Sequence, residues 1–476
     1  MQWVGPMTTI TLVKLTQTHQ TIDAQHVVAC ANVERSMCAR LALAIAALLL
    51  ASMVTACASP SASSAGDEPT DVAVTDVQPD AGASPVDSSS SVDSAAFVDT
   101  NTIAGPASPS PASVEFIGSR LAQMKVPGFA SCVVRAGEIA WCGGFGLARL
   151  RSGTKKAAKV TKDTSFLLAS VSKTIVATAF MALVDSGVVT LQQPINDNPA
   201  GVNIALPKDS GQQPIRYIDL LTHTAGIADN WSKMTLWYSD GSDSTIALKD
   251  IVAGYFLPGA KWYDANANFT GNGPAIAWQY ANMGTTLLGY LIESWVKQDF
   301  GQHCKATIFA PLGMKHTSWY LADFADPDAQ LAMPYTYKQG KFQPTGHYTF
   351  ADYPSGALRS SAHDMARFLQ MYLAGGSAAG ATILKAQTVE LMTKPAVAKI
   401  KSDQAIQWNR QSIDGQIWIS HGGSESGVTT DLQFNPTTGI GVVLLFNGKW
   451  SGAQANTSFS EIRKHVLAQA ALSQGQ

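Results

Sequence analysis

The residues with the clearest potential for chemistry lie in the segment Ser170-Val171-Ser172-Lys173. A serine hydroxyl becomes a good nucleophile only when a neighbouring base takes its proton. Residues three apart share one face of a helix, so a Ser-x-x-Lys segment brings an amine to the hydroxyl. The spacing therefore predicts an activated serine at Ser170, with Lys173 as its partner.

The same pattern begins at two other serines, Ser152 and Ser294. Ser152 lies in a polar, basic stretch, and Ser294 lies near the end of a predicted surface helix. Ser170 instead follows an apolar run and opens an apolar helix predicted over 170–186, where backbone N–H groups and the helix dipole favour negative charge. Taken alone, the Ser170 motif is equally typical of a helix cap with a solvated lysine nearby.

A Tyr-x-Asn segment, Tyr280-Ala281-Asn282, occurs once in the chain. A tyrosine close to a lysine can relay a proton to or from a serine and its leaving group. The amide of Asn282 can hold a substrate carbonyl. Both roles require these residues to reach Ser170 in the folded chain.

His421-Gly422-Gly423 is the only His-x-Gly segment, and it follows a strand predicted over 417–420. Glycines at the end of that strand would let a substrate lie against the backbone. The N–H of Ser424 can then pair with that of Ser170 as an oxyanion hole. A neutral His421 would offer a substrate no fixed positive charge, and its charge would vary near pH 6.5.

The order of Ser-x-x-Lys, Tyr-x-Asn and His-x-Gly resembles the serine beta-lactamase and penicillin-binding protein superfamily. Tyr-x-Asn is typical of its class C branch, which includes DD-carboxypeptidases and esterases. The resemblance covers roughly 113–470, and it includes the further segments 220–227, 311–314, 355–360 and 364–368. It implies an α+β fold in which an antiparallel sheet is flanked by helices, with a second, mainly helical lobe.

The resemblance also assigns roles to residues. Ser170 resembles the family nucleophile, Lys173 its general base or electrostatic partner, and Tyr280 its proton shuttle. Asn282 resembles the amide that positions the substrate. Whether Lys173 or Tyr280 acts as the base stays open.

The implied activity is that of a serine hydrolase acting through an acyl-enzyme on an ester, a D-amino-acid amide or peptide, or a beta-lactam. The alternative is a penicillin- or peptidoglycan-binding sensor or scaffold without efficient turnover. Class C beta-lactamases carry Lys-Thr-Gly where this chain has His421-Gly422-Gly423, which weakens the expectation of efficient beta-lactam hydrolysis.

Neither a metal nor a cofactor is predicted, since metal-ligand spacings and nucleotide-binding fingerprints are missing from the sequence. A net charge of −2 argues against a nucleic-acid partner.

The pattern of strands and helices favours the same α+β class. Strands are predicted near both ends of the globular part, at 130–135, 139–144, 417–420, 430–434 and 441–446. Helices are predicted at 113–124, 283–297 and 457–471. Strands from the two ends are expected to pair in one antiparallel sheet.

The N-terminal part of the chain predicts export. Residues 1–57 form an extension that ends in a lipoprotein-type signal peptide, with an apolar run over 41–56. Val54-Thr55-Ala56-Cys57 resembles a bacterial lipobox, which implies lipidation at Cys57 and anchoring in the cell envelope, on its periplasmic or outer side. An uncleaved membrane anchor is the alternative, and Met37 is a candidate start. Residues 58–112, rich in Ser, Pro, Ala and Asp, are expected to be a disordered linker before a hydrolase domain at 113–476.

Cys132 and Cys142 flank a turn centred near Gly137. A hairpin there would set the two sulfurs opposite each other, and an oxidising compartment would allow a disulfide. Two buried thiols that never pair are the equal alternative. Cys304 is predicted to be a buried thiol.

Overall fold

A computed structural model describes residues 109–207 and 213–472 of the chain. The predicted signal segment, Cys57 and the linker up to residue 108 lie outside these residues. In chain order, the α-helices of the described part are α1 (Pro111–Met124), α2 (Ser172–Asp185), α3 (Tyr217–Leu221), α4 (Trp231–Met234), α5 (Leu248–Phe256), α6 (Asn282–Val296), α7 (Phe300–Cys304), α8 (Pro327–Gln330), α9 (Ala362–Leu373), α10 (Ala386–Thr393) and α11 (Ala453–Leu472).

The strands of the same residues are β1 (Gly128–Arg135), β2 (Glu138–Arg149), β3 (Ala158–Lys159), β4 (Ser165–Leu167), β5 (Tyr238–Asp240), β6 (Tyr335–Lys338), β7 (Lys341–Pro344), β8 (Tyr348–Phe350), β9 (Arg359–Ser361), β10 (Ser377–Ala378), β11 (Ala381–Thr382), β12 (Asn409–Ile413), β13 (Gln416–Glu425), β14 (Val428–Asn435) and β15 (Ile440–Phe446). Short 3-10 turns lie at Ala169–Val171, Thr235–Trp237, Leu321–Asp323 and Tyr353–Ser355, and a π-helical turn lies at Lys305–Phe309.

The largest sheet has seven strands in the order β12-β13-β14-β15-β1-β2-β3. Its neighbouring strands are all antiparallel. At its centre β15 pairs with β1, so that Phe446 lies opposite Phe129. Strands from the two ends of the chain therefore meet in one antiparallel sheet, which confirms the predicted α+β class.

Both faces of this sheet are covered. Along β1, Phe129 and Val133 pack with residues of α1 and α11, whereas Ala130 and Val134 belong to the larger core on the opposite face. This alternation is the two-residue period of a strand. The larger core also takes in α2, whose apolar sequence is buried along most of its length and carries Lys173.

Most of the described helices lie between β4 and β12, and α6 is the longest of them. The sequence predicts one apolar stripe along this helix. Of its residues, Leu287, Leu288, Leu291 and Ile292 are buried in the larger core, and Trp295 is partly buried against it. At its N-terminal end α6 begins with Asn282, two residues after Tyr280. The chain thus brings the Tyr-x-Asn segment to the start of a helix that packs against α2.

Several predicted boundaries were wrong. Helix α1 begins at Pro111 rather than 113, because Ser110 caps it by accepting a hydrogen bond from the N–H of Ser113 at 3.2 Å. Helix α11 starts at Ala453 rather than 457. Strand β13 continues to Glu425 rather than ending at residue 420, because its pairing with β14 continues through both glycines.

Cys132 lies opposite Cys142 across the β1–β2 hairpin, and the two form a disulfide. Cys304 is a buried thiol, as predicted. Within 109–207 and 213–472, the helices are all too short or too polar to span a membrane.

Candidate active site

Ser170 lies in the one-turn 3-10 helix that joins β4 to α2, so α2 itself begins two residues later than predicted. The preceding residue, Ala169, has φ of +48°, in the left-handed region that costs an L-residue roughly 1–2 kcal/mol. Two bonds hold the chain just before it: the N–H of Leu168 donates to Leu358 O at 2.8 Å, and Thr430 Oγ1 donates to Leu168 O at 2.6 Å. The sharp turn leaves Ser170 partly exposed at the end of a buried helix.

Lys173 is completely buried, one turn along from Ser170. Its Nζ donates to Ser170 Oγ at 3.1 Å, to Asn282 Oδ1 at 2.7 Å and to Ser355 O at 2.5 Å. An ammonium group has three N–H donors and no acceptor. Three acceptors around Nζ therefore suit the charged form of Lys173.

Tyr280 approaches Ser170 from the segment that precedes α6. Its hydroxyl lies 2.8 Å from Ser170 Oγ, and its ring centroid lies 5.0 Å from Lys173 Nζ. Ser170 Oγ thus has two groups within the distance needed for proton transfer. The structure brings Lys173 and Tyr280 together around Ser170 Oγ, while their catalytic roles stay a prediction.

Asn282 links Lys173 to a carboxylate that the sequence analysis did not select. Its Oδ1 accepts from Lys173, while its Nδ2 donates to Asp229 Oδ2 at 2.8 Å. Asp229 also accepts from the backbone N–H groups of Asn282 at 2.9 Å and Met283 at 3.0 Å, at the start of α6. The substrate-positioning role of Asn282 stays a prediction, but in this structure its amide holds Lys173.

His421 is buried in β13, with only 4% of its surface exposed. Its Nδ1–H donates to the carbonyl of Gly422 at 2.7 Å. Burial, reinforced by the charge of Lys173, lowers the pKa of His421 to about 4. The expectation that its charge varies near pH 6.5 was therefore wrong, because the folded chain withdraws the imidazole from water.

Gly423 lies against the Ser170 turn. A Cβ atom on Gly423 would lie 2.3 Å from Leu168 O, 2.2 Å from Thr430 Oγ1 and 3.2 Å from Ser170 N. A side chain at this position would therefore collide with the turn. Only glycine lets β13 approach the candidate nucleophile this closely.

The residues beside Gly423 face the other way, and both Gly422 and Ser424 are exposed. The pairing of β12 with β13 ends at Ser420, and beyond it the residues up to Glu425 pair with β14. This part of β13 is suited to an extended substrate. The pairing of the Ser424 N–H with that of Ser170 as an oxyanion hole stays a prediction.

His223, within the similar segment 220–227, packs its ring on that of Tyr280 with centroids 4.5 Å apart. Its Nδ1 accepts from the N–H of Ala281 at 3.3 Å, which fixes the backbone beside the tyrosine. Burial lowers the pKa of His223 well below its ordinary value, with the charge of Lys173 contributing. Its neutral ring supports Tyr280 by packing and by this hydrogen bond.

The other two Ser-x-x-Lys segments do not form such a pair. Ser294 lies within α6, where its Oγ donates to Leu291 O at 2.7 Å, and Lys297 is an exposed residue just past the helix end. Ser152 and Lys155 face each other only through backbone hydrogen bonds in an exposed turn.

Comparison with known proteins places this chain in a family. A family model described as Beta-lactamase matches residues 115–466. Unguisins hydrolase ungD' of Aspergillus campestris is 26% identical over 356 residues, which cover 72% of this chain and 62% of that protein. Esterase EstB of Burkholderia gladioli is 28% identical over 277 residues, which cover 52% of this chain and 66% of the esterase. The chain thus spans less than two thirds of the length of either relative.

Among solved structures, the D-amino acid amidase from Ochrobactrum anthropi SV3 has the same fold, with a TM-score of 0.58 at 20% identity over 75% of this chain and 98% of that one. The chain belongs to the beta-lactamase family, within the superfamily of serine beta-lactamases and penicillin-binding proteins. Ser170, Lys173 and Tyr280 form the candidate active site.

Proposed function

We propose that the protein hydrolyses esters and D-amino-acid amides that lack a free carboxylate, through an acyl-enzyme at Ser170. The observation that carries this preference is the neutrality of His421, whose pKa is lowered to about 4 by burial. At neutral pH this position of β13 offers no positive charge to a substrate carboxylate. Further along the same strand, Glu425 would repel one.

The reaction follows from the three groups around Ser170 Oγ. The oxygen attacks the substrate carbonyl carbon, and the carbonyl electron pair moves onto its oxygen as the new bond forms. With Lys173 held as an ammonium group, the serine proton passes to Tyr280 in its deprotonated form and then to the departing oxygen or nitrogen. Water then attacks the acyl carbon by the same route, releases the acid and returns the proton to Ser170.

Two relatives support hydrolysis as the activity. The curated names of the proteins from Aspergillus campestris and Burkholderia gladioli are those of a hydrolase and an esterase. The beta-lactam and the free D-peptide, both of which carry a carboxylate, rank below esters and amides because of His421. The alternative function is that of a sensor protein that is acylated at Ser170 but does not release the acyl group.

The test compares substrates with and without a free carboxylate. A peptide ending in D-Ala-D-Ala is compared with its C-terminal methyl ester and amide, alongside p-nitrophenyl esters and nitrocefin. We expect Ser170-dependent turnover with kcat/KM higher for the uncharged forms, and no such turnover by Ser170→Ala. A preference for the free acid would refute the proposed substrate class. A stoichiometric burst without steady turnover would instead identify a binding protein.

We also propose that the protein is exported and anchored in the bacterial cell envelope through a lipid on Cys57. The lipobox-like sequence before Cys57 supports this, and so does the Cys132–Cys142 disulfide, since such bonds persist outside the reducing cytosol. Fatty-acid labelling should mark the wild type and the Cys38→Ala control, but not Cys57→Ala. Equal labelling of Cys57→Ala would refute the anchor.

A further inference from the structure

Asp229 sits behind the reacting groups, at the end of a short hydrogen-bonded chain. Its carboxylate accepts from the N–H of Asn282 at 2.9 Å, from Asn282 Nδ2 at 2.8 Å and from the N–H of Met283 at 3.0 Å. Asn282 Oδ1 in turn accepts from Lys173 at 2.7 Å, and Lys173 donates to Ser170 Oγ at 3.1 Å. The four side chains form one connected path from the carboxylate to the nucleophile.

The chemistry of the two ends fixes the direction of the amide between them. A carboxylate only accepts hydrogen bonds, and an ammonium group only donates them. The amide of Asn282 must therefore turn its NH2 group toward Asp229 and its oxygen toward Lys173. If Asp229 lost its charge, the amide could rotate and present a donor to the donor-only ammonium.

We propose that Asp229 is a positioning residue that holds the oxygen of Asn282 on Lys173, and through it keeps the lysine charged and aligned on Ser170. This inference rests on the proposed serine-hydrolase function. Asp229 does not contact the reacting atoms, so its effect passes through Asn282 and Lys173. The carboxylate also adds charge stabilisation at the N-terminus of α6.

Several other titratable groups lie around this path. Burial raises the pKa of Asp229, while its three donors and Lys173 oppose that rise. Asp352 is the other acid that faces Asp229, and burial raises its pKa to about 7; Tyr255 also interacts with Asp229, and its pKa is raised. The pKa values of His223 and His421 are lowered by burial and by the charge of Lys173, so both rings are neutral at pH 7.

The experiment compares Asp229→Asn with a matched control, Asp243→Asn. Asp243 likewise accepts from two consecutive backbone N–H groups, those of Leu321 at 2.8 Å and Ala322 at 3.0 Å, at the start of another helical turn. The first readout is the rate at which a fluorophosphonate labels Ser170 in the full-length protein from pH 5 to 10. We expect Asp229→Asn to slow labelling at pH 7 at least 10-fold and Asp243→Asn to change it less than twofold.

The second readout needs no substrate. NMR of the protein with 13Cε-labelled lysine follows the titration of Lys173, whose signal is assigned by its loss in Lys173→Arg. Removal of a nearby negative charge disfavours the ammonium form, so the titration midpoint should move to lower pH by about one unit in Asp229→Asn. The Asp243→Asn midpoint should stay within about 0.2 units of wild type. An unmoved midpoint in folded Asp229→Asn would overturn the proposal, as would an equal shift in the control.

If Asp229→Asn does not fold, Asp229→Glu decides the matter. It keeps an acceptor-only carboxylate, so the Lys173 midpoint should stay near that of wild type while labelling slows. A large downward shift of the midpoint in Asp229→Glu would contradict the proposed role. The two proposals can also fail separately. If no substrate acylates the wild type, the proposed hydrolase function is refuted, whereas the NMR titration of Lys173 alone decides the role of Asp229.

Discussion

The contact between Gly423 and the Ser170 turn makes a single methyl group a sharp test of the site. In Gly423→Ala the new Cβ would lie 2.3 Å from Leu168 O and 2.2 Å from Thr430 Oγ1, and these two atoms already share a 2.6 Å hydrogen bond. Relief of both collisions requires β13 to move from the turn by about 1 Å, to ordinary contact distance. Overpacking of this kind costs about 1–3 kcal/mol of unfolding free energy.

The same displacement would disturb the geometry around Ser170. A misplacement of about 1 Å at a reacting centre can cost about 100-fold in rate. We therefore expect Gly423→Ala to lower the second-order rate of fluorophosphonate labelling by about two orders of magnitude, while the protein remains folded. Labelling rates come from gel fluorescence or intact-mass spectrometry, and unfolding free energies from urea titration.

The adjacent glycine supplies the control for stability. A Cβ atom on Gly422 would meet only Thr430 O, at 4.0 Å, which is ordinary contact. Gly422→Ala should thus change the unfolding free energy by less than about 0.5 kcal/mol. Equal stability of the two variants, together with undiminished labelling of Gly423→Ala, would refute the placement of β13 against the nucleophile.

Three further predictions concern other parts of the molecule. His421 is neutral in the folded protein down to about pH 4 but protonates near pH 6.5 when unfolded, so stability is lost as pH falls through that window. Urea titrations of wild type and His421→Gln at pH 7 and 5 should show the variant losing about 2 kcal/mol less, and equal losses would refute this. Tyr280→Phe, which removes the hydroxyl 2.8 Å from Ser170 Oγ and keeps the ring, should slow labelling 100-fold or more; a wild-type rate would exclude proton relay by Tyr280. Replacing both Cys132 and Cys142 by serine opens a short cross-linked loop and should cost roughly 3 kcal/mol of unfolding free energy, whereas a cost near zero would contradict the disulfide.

The spacing of motifs predicted much of the site because each motif is local. Ser170 and Lys173 share a helical turn, and Tyr280 shares its segment with Asn282, so only the approach of these two segments had to be assumed. The terminal strands and the stripe of α6 were predictable for the same reason, since their periodicity is written in a few consecutive residues.

The remaining features depend on tertiary contacts that no local pattern encodes. Asp229 lies 53 residues before Asn282, and nothing around it distinguishes it from other loop aspartates. The left-handed turn at Ala169 was not predicted, because alanine rarely adopts that conformation and its neighbours impose it. The neutrality of His421 arises from burial by other elements, so the ordinary histidine pKa was a poor guide to its charge.

The most direct test of the central claim is to locate the acyl group. The full-length protein is reacted with a fluorophosphonate and a slowly hydrolysed activated ester, digested and mapped by mass spectrometry, with Ser170→Ala and Ser294→Ala as the matched pair. We predict a single adduct on the peptide that contains Ser170, abolished in Ser170→Ala and unchanged in Ser294→Ala. An adduct on another residue, or undiminished labelling of Ser170→Ala, would contradict the assignment of Ser170 as the nucleophile.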